Sequence, residues 1–186
     1  GLSVIRHSTA HIMAMAIQEL FPGTQITIGP VVENQFYYDI YPKENVKISA
    51  HDFPAIEAKM TEIVNKNIPV VRRTVTRAQA VEHFKKLGET FKVELVESIP
   101  EDQDIKIYDI AHWGDLCRGP HVPSTGKLGA FKLMSIAGAY WRANKDNAQL
   151  VRIYGTAWAN KKDLDAHLNM LEEAKKRDHI VLGKQL

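Results

Sequence analysis

The stretch Gln25-Ile26-Thr27-Ile28-Gly29-Pro30-Val31-Val32, then Glu33-Asn34-Gln35, then Phe36-Tyr37-Tyr38-Asp39-Ile40-Tyr41, decides the fold class. Both flanks are β-branched and aromatic, and a short polar junction separates them. That pattern predicts a hairpin with strands over 25–32 and 36–41. A hairpin forces its two strands antiparallel, so the sheet grows by antiparallel pairing. Further strands are predicted at 69–75, 105–110, 130–136 and 149–155, each a β-branched or aromatic run. Helices alternate with them irregularly. Upstream, Ile5, Ala10, Ile12, Ala14, Met15, Ile17 and Leu20 lie among strong helix formers that run to Phe21. Ser3 is a candidate N-cap there, and Pro22-Gly23 is the stop signal. Ser49 or Asp52 can cap a helix reaching about Asn67, with Pro54 fitting only its first turn. Thr76-Arg77-Ala78-Gln79 has capping-box spacing and opens a helix that Gly88 closes. Asn160 can cap a last long helix to about Leu182. The prediction is an α+β fold with a largely antiparallel sheet packed against helices, ending in a long C-terminal connector helix.

Composition sets the outer limits. The chain has 186 residues, 45% of them apolar and 25% charged, which suits one domain with its own core. No apolar run approaches the roughly 18 residues that span a bilayer, so no membrane partner is expected. One cysteine, Cys117, excludes an internal disulfide. With no signal-peptide pattern, the expectation is a soluble cytoplasmic protein. The opening Gly-Leu-Ser, without Met, reads as a fragment of something longer. Net charge is only +2, but it is unevenly spread. Residues 71–92 and 118–152 are basic, and an acidic stretch from Glu94 to Asp115 lies between them. Tyr140 and Trp141 fall inside the second basic stretch, where aromatic rings can stack on bases.

Two pairs, one of histidines and one of cysteine with histidine, carry the chemistry. His7 and His11 are four apart on the first helix and therefore project from one face. Cys117 and His121 are also four apart, but Gly119-Pro120 between them makes that segment a loop. Three imidazoles and a thiol suit zinc, whose preferred ligands they are. The same groups could position a water and shuttle its proton with no metal. Residue types and spacing leave both open.

The longer motifs carry a resemblance. His-Ser-Thr-Ala-His (7–11), Ile-Gly-Pro-Val-Val-Glu-Asn (28–34), Asp-Leu-Cys-Arg-Gly-Pro-His-Val-Pro (115–123), Ala-Gly-Ala-Tyr-Trp-Arg (137–142) and Arg-Ile-Tyr-Gly-Thr-Ala-Trp (152–158) resemble the editing domain of bacterial-type threonyl-tRNA synthetases. The paired histidine and cysteine pattern is also similar to the alanyl-tRNA synthetase editing domain and its free-standing relatives. Gln35 stands where many members have glycine, and Lys92 matches the family's site lysine through Phe-Lys-Val-Glu (91–94) alone.

The resemblance implies a division into an editing domain, 1–159, and a helix, 160–186, linking to an aminoacylation core that this chain lacks. It implies hydrolysis of the ester joining serine to the 3′ end of tRNA(Thr). The partners implied are that charged acceptor end and the rest of the synthetase. Serine lacks one methyl of threonine, and a methyl is worth only roughly 1–3 kcal/mol of discrimination, so a second, hydrolytic sieve repairs the error. By the same resemblance, His7 and Lys92 position and polarise the attacking water, with Lys92 stabilising the oxyanion. His11, Cys117 and His121 bound the pocket, and Asp115 accepts the serine ammonium or orients a histidine. Tyr38 contacts the terminal adenosine or the pocket wall, and Arg118 and Arg142 contact phosphates. No cofactor is required for editing. ATP, magnesium and the synthetase's zinc belong to the absent core, while alanyl-type domains place zinc where His7, His11, Cys117 and His121 stand. A zinc-dependent alanyl-type deacylase and a non-catalytic tRNA-binding module are the competing readings.

Overall fold

A computed structural model describes the backbone of residues 1–185; Leu186, the last residue of the expected 160–186 segment, and the side chains from His179 onward lie outside the described residues. Helix α1 (Leu2–Leu20) is the spine of the molecule, buried on every side from Ser8 to Ile17. Such a helix must be covered all round. One side packs on a sheet and another on helix α2 (Phe53–Asn65). Gly1 rather than Ser3 precedes the first turn, and no side chain caps it.

The expected hairpin is present with one change. Its first arm is split into β1 (Gln25–Ile26) and β2 (Val31–Val32), both paired antiparallel with β3 (Gln35–Tyr41). Between them Gly29-Pro30 breaks the ladder, because proline offers no N–H for it. Gly29 also lies so close to the Tyr38 ring that a Cβ there would collide with it. The turn is Glu33-Asn34, since Val32 pairs with Gln35, and Glu33 adopts a left-handed φ of 55°. The sheet is completed by β7 (Ala130–Tyr140) and β8 (Gln149–Trp158), in the order β1-β3-β8-β7.

A second antiparallel sheet, β4-β5-β6, contains β4 (Val70–Val75), β5 (Ile105–Ile110) and β6 (Trp113–Leu116). Helices α3 (Arg77–Lys86) and α4 (Thr90–Ser98) cover it through a small core of Ala80, Phe84, Val96, Ile105 and Ile107. Thr76 and Gln79 form the expected capping box, each side chain accepting from the other's backbone N–H. Ser49 and Asp52 form another, around a 3-10 turn that leads into α2. Asn160 caps α5 (Lys161–Gln185) by accepting from the Asp163 N–H at 2.9 Å. Two elements have no counterpart in the sequence reading, α4 and β6, and both carry site residues. Among the described residues no helix is long and apolar enough to cross a membrane.

Candidate active site

Helix α1, helix α4, strand β6 and the loop after β6 converge on a cleft of about 750 Å³. Its walls include His7, His11, Lys92, Asp115, Cys117 and Arg118. At its floor the side chains of Lys92 and Asp115 form an ion pair, and each residue is only 1% exposed. Burying charges is costly unless they are paired and hydrogen-bonded, and these are. The Lys92 ammonium also donates to the Thr27 carbonyl and, at 3.0 Å, to the Tyr38 hydroxyl. These two hydrogen bonds and the ion pair engage the ammonium on three sides. Tyr38 in turn donates to Asp115 Oδ2 at 2.6 Å. Burial and the adjacent carboxylate hold its phenol well above the usual range, so it stays protonated.

Asp115 Oδ2 also lies 3.1 Å from His11 Nε2. An ionised carboxylate only accepts, so His11 carries its proton on Nε2. Its Nδ1 is then a buried lone pair with no protein partner. Desolvation, reinforced by His7 and Lys92, keeps His11 neutral, well below the ordinary imidazole value.

A second layer lies beside this floor. Cys117 Sγ is 3.2 Å from both His7 Nε2 and His121 Nε2, and it accepts the Gly119 N–H at 3.2 Å. The His121 ring stacks 4.1 Å from that of His11 and 4.4 Å from that of His7. Burial first, then its two histidine neighbours, pushes His121 down to about 2. Burial lifts the Cys117 thiol to about 11, so sulfur is protonated at neutral pH. Ser8 holds the loop to α1 by accepting the Val122 N–H at 3.0 Å and meeting His121 Nδ1 at 2.9 Å. The loop itself packs on β5, where Gly119, at φ +74°, leaves room for the Tyr108 hydroxyl.

The fold thus brings His7, His11, Lys92, Asp115, Cys117 and His121 together. Tyr38 joins them from below, hydrogen-bonded to Lys92 and Asp115; at 0% exposed it offers no surface for a base to stack on. Arg118 lies on the rim, held by Gln103 at 3.2 Å. Arg142 does not join; it is absent from the cleft wall, pairs with Glu94 at 3.3 Å and sits over the Trp141 ring. Sequence reasoning missed Thr27, which acts through its backbone, and Ser8, which the His7–His11 motif contains but whose loop contact is not local.

The four histidine and cysteine donors lie within 4.8 Å of one another. That grouping and the orphaned His11 Nδ1 fit a zinc ion, with His7, His11, Cys117 and His121 as its ligands.

Residues 105–154, from β5 through the cysteine loop into β8, match the family described as the threonyl and alanyl tRNA synthetase second additional domain. The whole chain is 57% identical to 29% of the length of a threonine--tRNA ligase from Janthinobacterium sp. (strain Marseille). It is 56% identical, over the same share, to threonine--tRNA ligases from Methylobacillus flagellatus and Paraburkholderia phymatum. The chain therefore spans less than a third of the length of the relatives it matches. Along its entire length the chain is similar to the N-terminal part of bacterial threonine--tRNA ligases.

Proposed function

We propose that this chain is the editing part of a threonine--tRNA ligase and hydrolyses the seryl ester of mischarged Ser-tRNA(Thr) to serine and tRNA(Thr). Residues 1–159 would form that domain and α5 would lead to the aminoacylation core. The observation that carries the reading is the buried Lys92–Asp115–His11 constellation at the floor of a cleft whose mouth bears Arg118. A binding module has no need of an ammonium and a carboxylate out of water; a hydrolase that must stabilise an oxyanion does.

In the proposed reaction His7, half-buried and neutral at pH 7, aligns the attacking water. With its ammonium engaged by Thr27, Tyr38 and Asp115, Lys92 acts on the developing oxyanion through the field of a fixed charge. Asp115 has both oxygens engaged by Lys92, Tyr38 and His11, which favours orienting His11 over capturing the serine ammonium. His11, His121 and the Cys117 thiol form the wall against which the amino-acid side chain is sorted. The terminal adenosine would occupy the open arm of the cleft, beside Ile28, Pro30, Leu95 and Ile99, since Tyr38 is out of reach.

No cofactor is needed for this scheme. Zinc at this cluster, with one position left to water, would lower that water's pKa toward 7 and would make the site a relative of the alanyl-type deacylases. The test is deacylation of Ser-tRNA(Thr), with Thr-tRNA(Thr) as control, using protein purified without a metal-affinity tag and assayed with and without chelator. Selective loss of serine, unaffected by chelation, is expected. Turnover abolished by chelation would establish the zinc reading, and no turnover by folded protein would leave a binding module.

A further inference from the structure

Glu89 is a buried carboxylate, 5% exposed, that the proposed mechanism does not use. We infer that Glu89, working with Gln18, is the positioning residue that sets Lys92 in the active site. The inference rests on the hydrolytic reading only for its activity assay.

Glu89 immediately precedes α4, yet its side chain makes no capping bond to that helix. Its two oxygens reach elsewhere: Oε2 accepts the Ile26 N–H at 3.0 Å, and Oε1 accepts from Gln18 Nε2. Ile26 adjoins Thr27, whose carbonyl accepts from Lys92, and Lys92 stands one helical turn beyond Glu89. One carboxylate therefore clamps the strand bearing the acceptor to the helix bearing the ammonium. The neighbouring pair, Gln25 and Thr90, makes a similar link at the surface, where Gln25 Oε1 accepts from the Thr90 N–H at 2.9 Å.

The polarity of the link extends further. Both contacts of Glu89 are N–H donors, so the ionised, acceptor-only form is the one that fits. Gln18 must then present its NH2 group to Glu89 and to the Thr24 carbonyl. Its oxygen is left to accept the Trp113 indole N–H at 2.7 Å. Trp113 packs edge-on against the His11 ring, with centroids 5.5 Å apart. The clamp on Lys92 and the brace behind His11 are thus one hydrogen-bonded chain.

Glu89→Gln, nearly identical in shape, sets an NH2 group against either Ile26 N–H or Gln18 NH2. The expected result in single-turnover hydrolysis of Ser-tRNA(Thr) is a loss of roughly 10- to 100-fold in rate at saturating substrate, with half-saturation unchanged. Because the effect runs through Lys92, Glu89→Gln should change the residual rate of Lys92→Ala by less than about twofold. Glu89→Asp keeps both acceptors but shortens the reach, so it should show a smaller loss with the same silence in Lys92→Ala. A Glu89→Gln rate within about twofold of the parent, or losses that multiply in the double variant, would overturn the inference. If the parent itself proves inactive, carbon-13 NMR of labelled lysine still decides. Glu89→Gln and Glu89→Asp should move the Lys92 ε-methylene resonance, and an unmoved resonance in both refutes the clamp.

Discussion

Lys92 of α4 and Asp115 of β6 form an ion pair between the helix and the second sheet, each residue 1% exposed. Removing one partner strands the other charge in a dry site, so Lys92→Met and Asp115→Asn should each destabilise the fold by about 3–5 kcal/mol. The double variant removes both charges and should cost clearly less than the two losses added. Urea midpoints of the three variants check this. All three should hydrolyse the ester far more slowly than the parent, which separates the energetic role of the pair from its chemical one.

The imidazoles make the fold acid-sensitive. His7, His11 and His121 are all held below the ordinary value, chiefly by desolvation. The unfolded chain protonates them near pH 6.5, whereas folded His121 resists protonation to about 2. Between those limits the unfolded state binds more protons, so stability falls as pH drops below 6.5 and is unaffected by these groups above neutrality. The expected slope is at most about 1.4 kcal/mol per pH unit for each histidine, read from urea midpoints between neutral and mildly acidic buffer. His121→Asn should flatten it. The acid limb of hydrolysis should likewise fall below the ordinary histidine range, since burial lowers the His7 imidazole.

Cys117 accepts hydrogen bonds and holds its proton to about pH 11, so it is no nucleophile. Iodoacetamide at pH 8 should label it far more slowly than a free thiol, by on the order of a hundredfold given a thiolate fraction that drops tenfold per unit of pKa. Zinc, if held, would deprotonate the thiol but also shield it. Labelling that accelerates after chelation would therefore reveal a metal that the apo-like thiol chemistry does not require.

The antiparallel architecture was legible from residues 25–41 because a hairpin is a local event, and so were the caps at Thr76 and Asn160. The His7/His11 and Cys117/His121 pairs were legible for the same reason: each is a local spacing. What joins them is not. Helix α4 has nine residues, no side-chain cap, and a Phe91-Val93-Leu95 alternation that hides its period, yet it delivers Lys92. Strand β6 exists because Ala111 takes a left-handed φ of 54° in the turn before it, at a residue with no turn signature, and it delivers Asp115. The family resemblance supplied Lys92 and Asp115; local physics did not.

Position relative to the cleft separates the two arginines. Arg118 is on the rim, and Arg142 is paired with Glu94 beyond it. Arg118→Ala should weaken tRNA binding and reduce the slope of log K against log salt by about one, the signature of one lost phosphate contact. Arg142→Ala should leave that slope unchanged. Titrations at several salt concentrations measure both.

Gly29 is where backbone and chemistry meet most closely. A Cβ there would strike the Tyr38 ring, which is 0% exposed and has no free space to enter. Gly29→Ala should therefore shift Tyr38 at a cost of about 1–3 kcal/mol, as overpacking does. The tyrosine hydroxyl bridges Lys92 and Asp115, so hydrolysis should fall as well. Tyr38→Phe isolates the hydroxyl, leaving two buried charged groups short of a partner for about 1–3 kcal/mol while the ring stays in place. Gly29→Ala added to Tyr38→Leu should cost little more than Tyr38→Leu alone, because the smaller side chain vacates the contested volume. If urea midpoints and rates show Gly29→Ala equally harmful in both backgrounds, the glycine is required by the backbone of the loop and not by the ring beneath it.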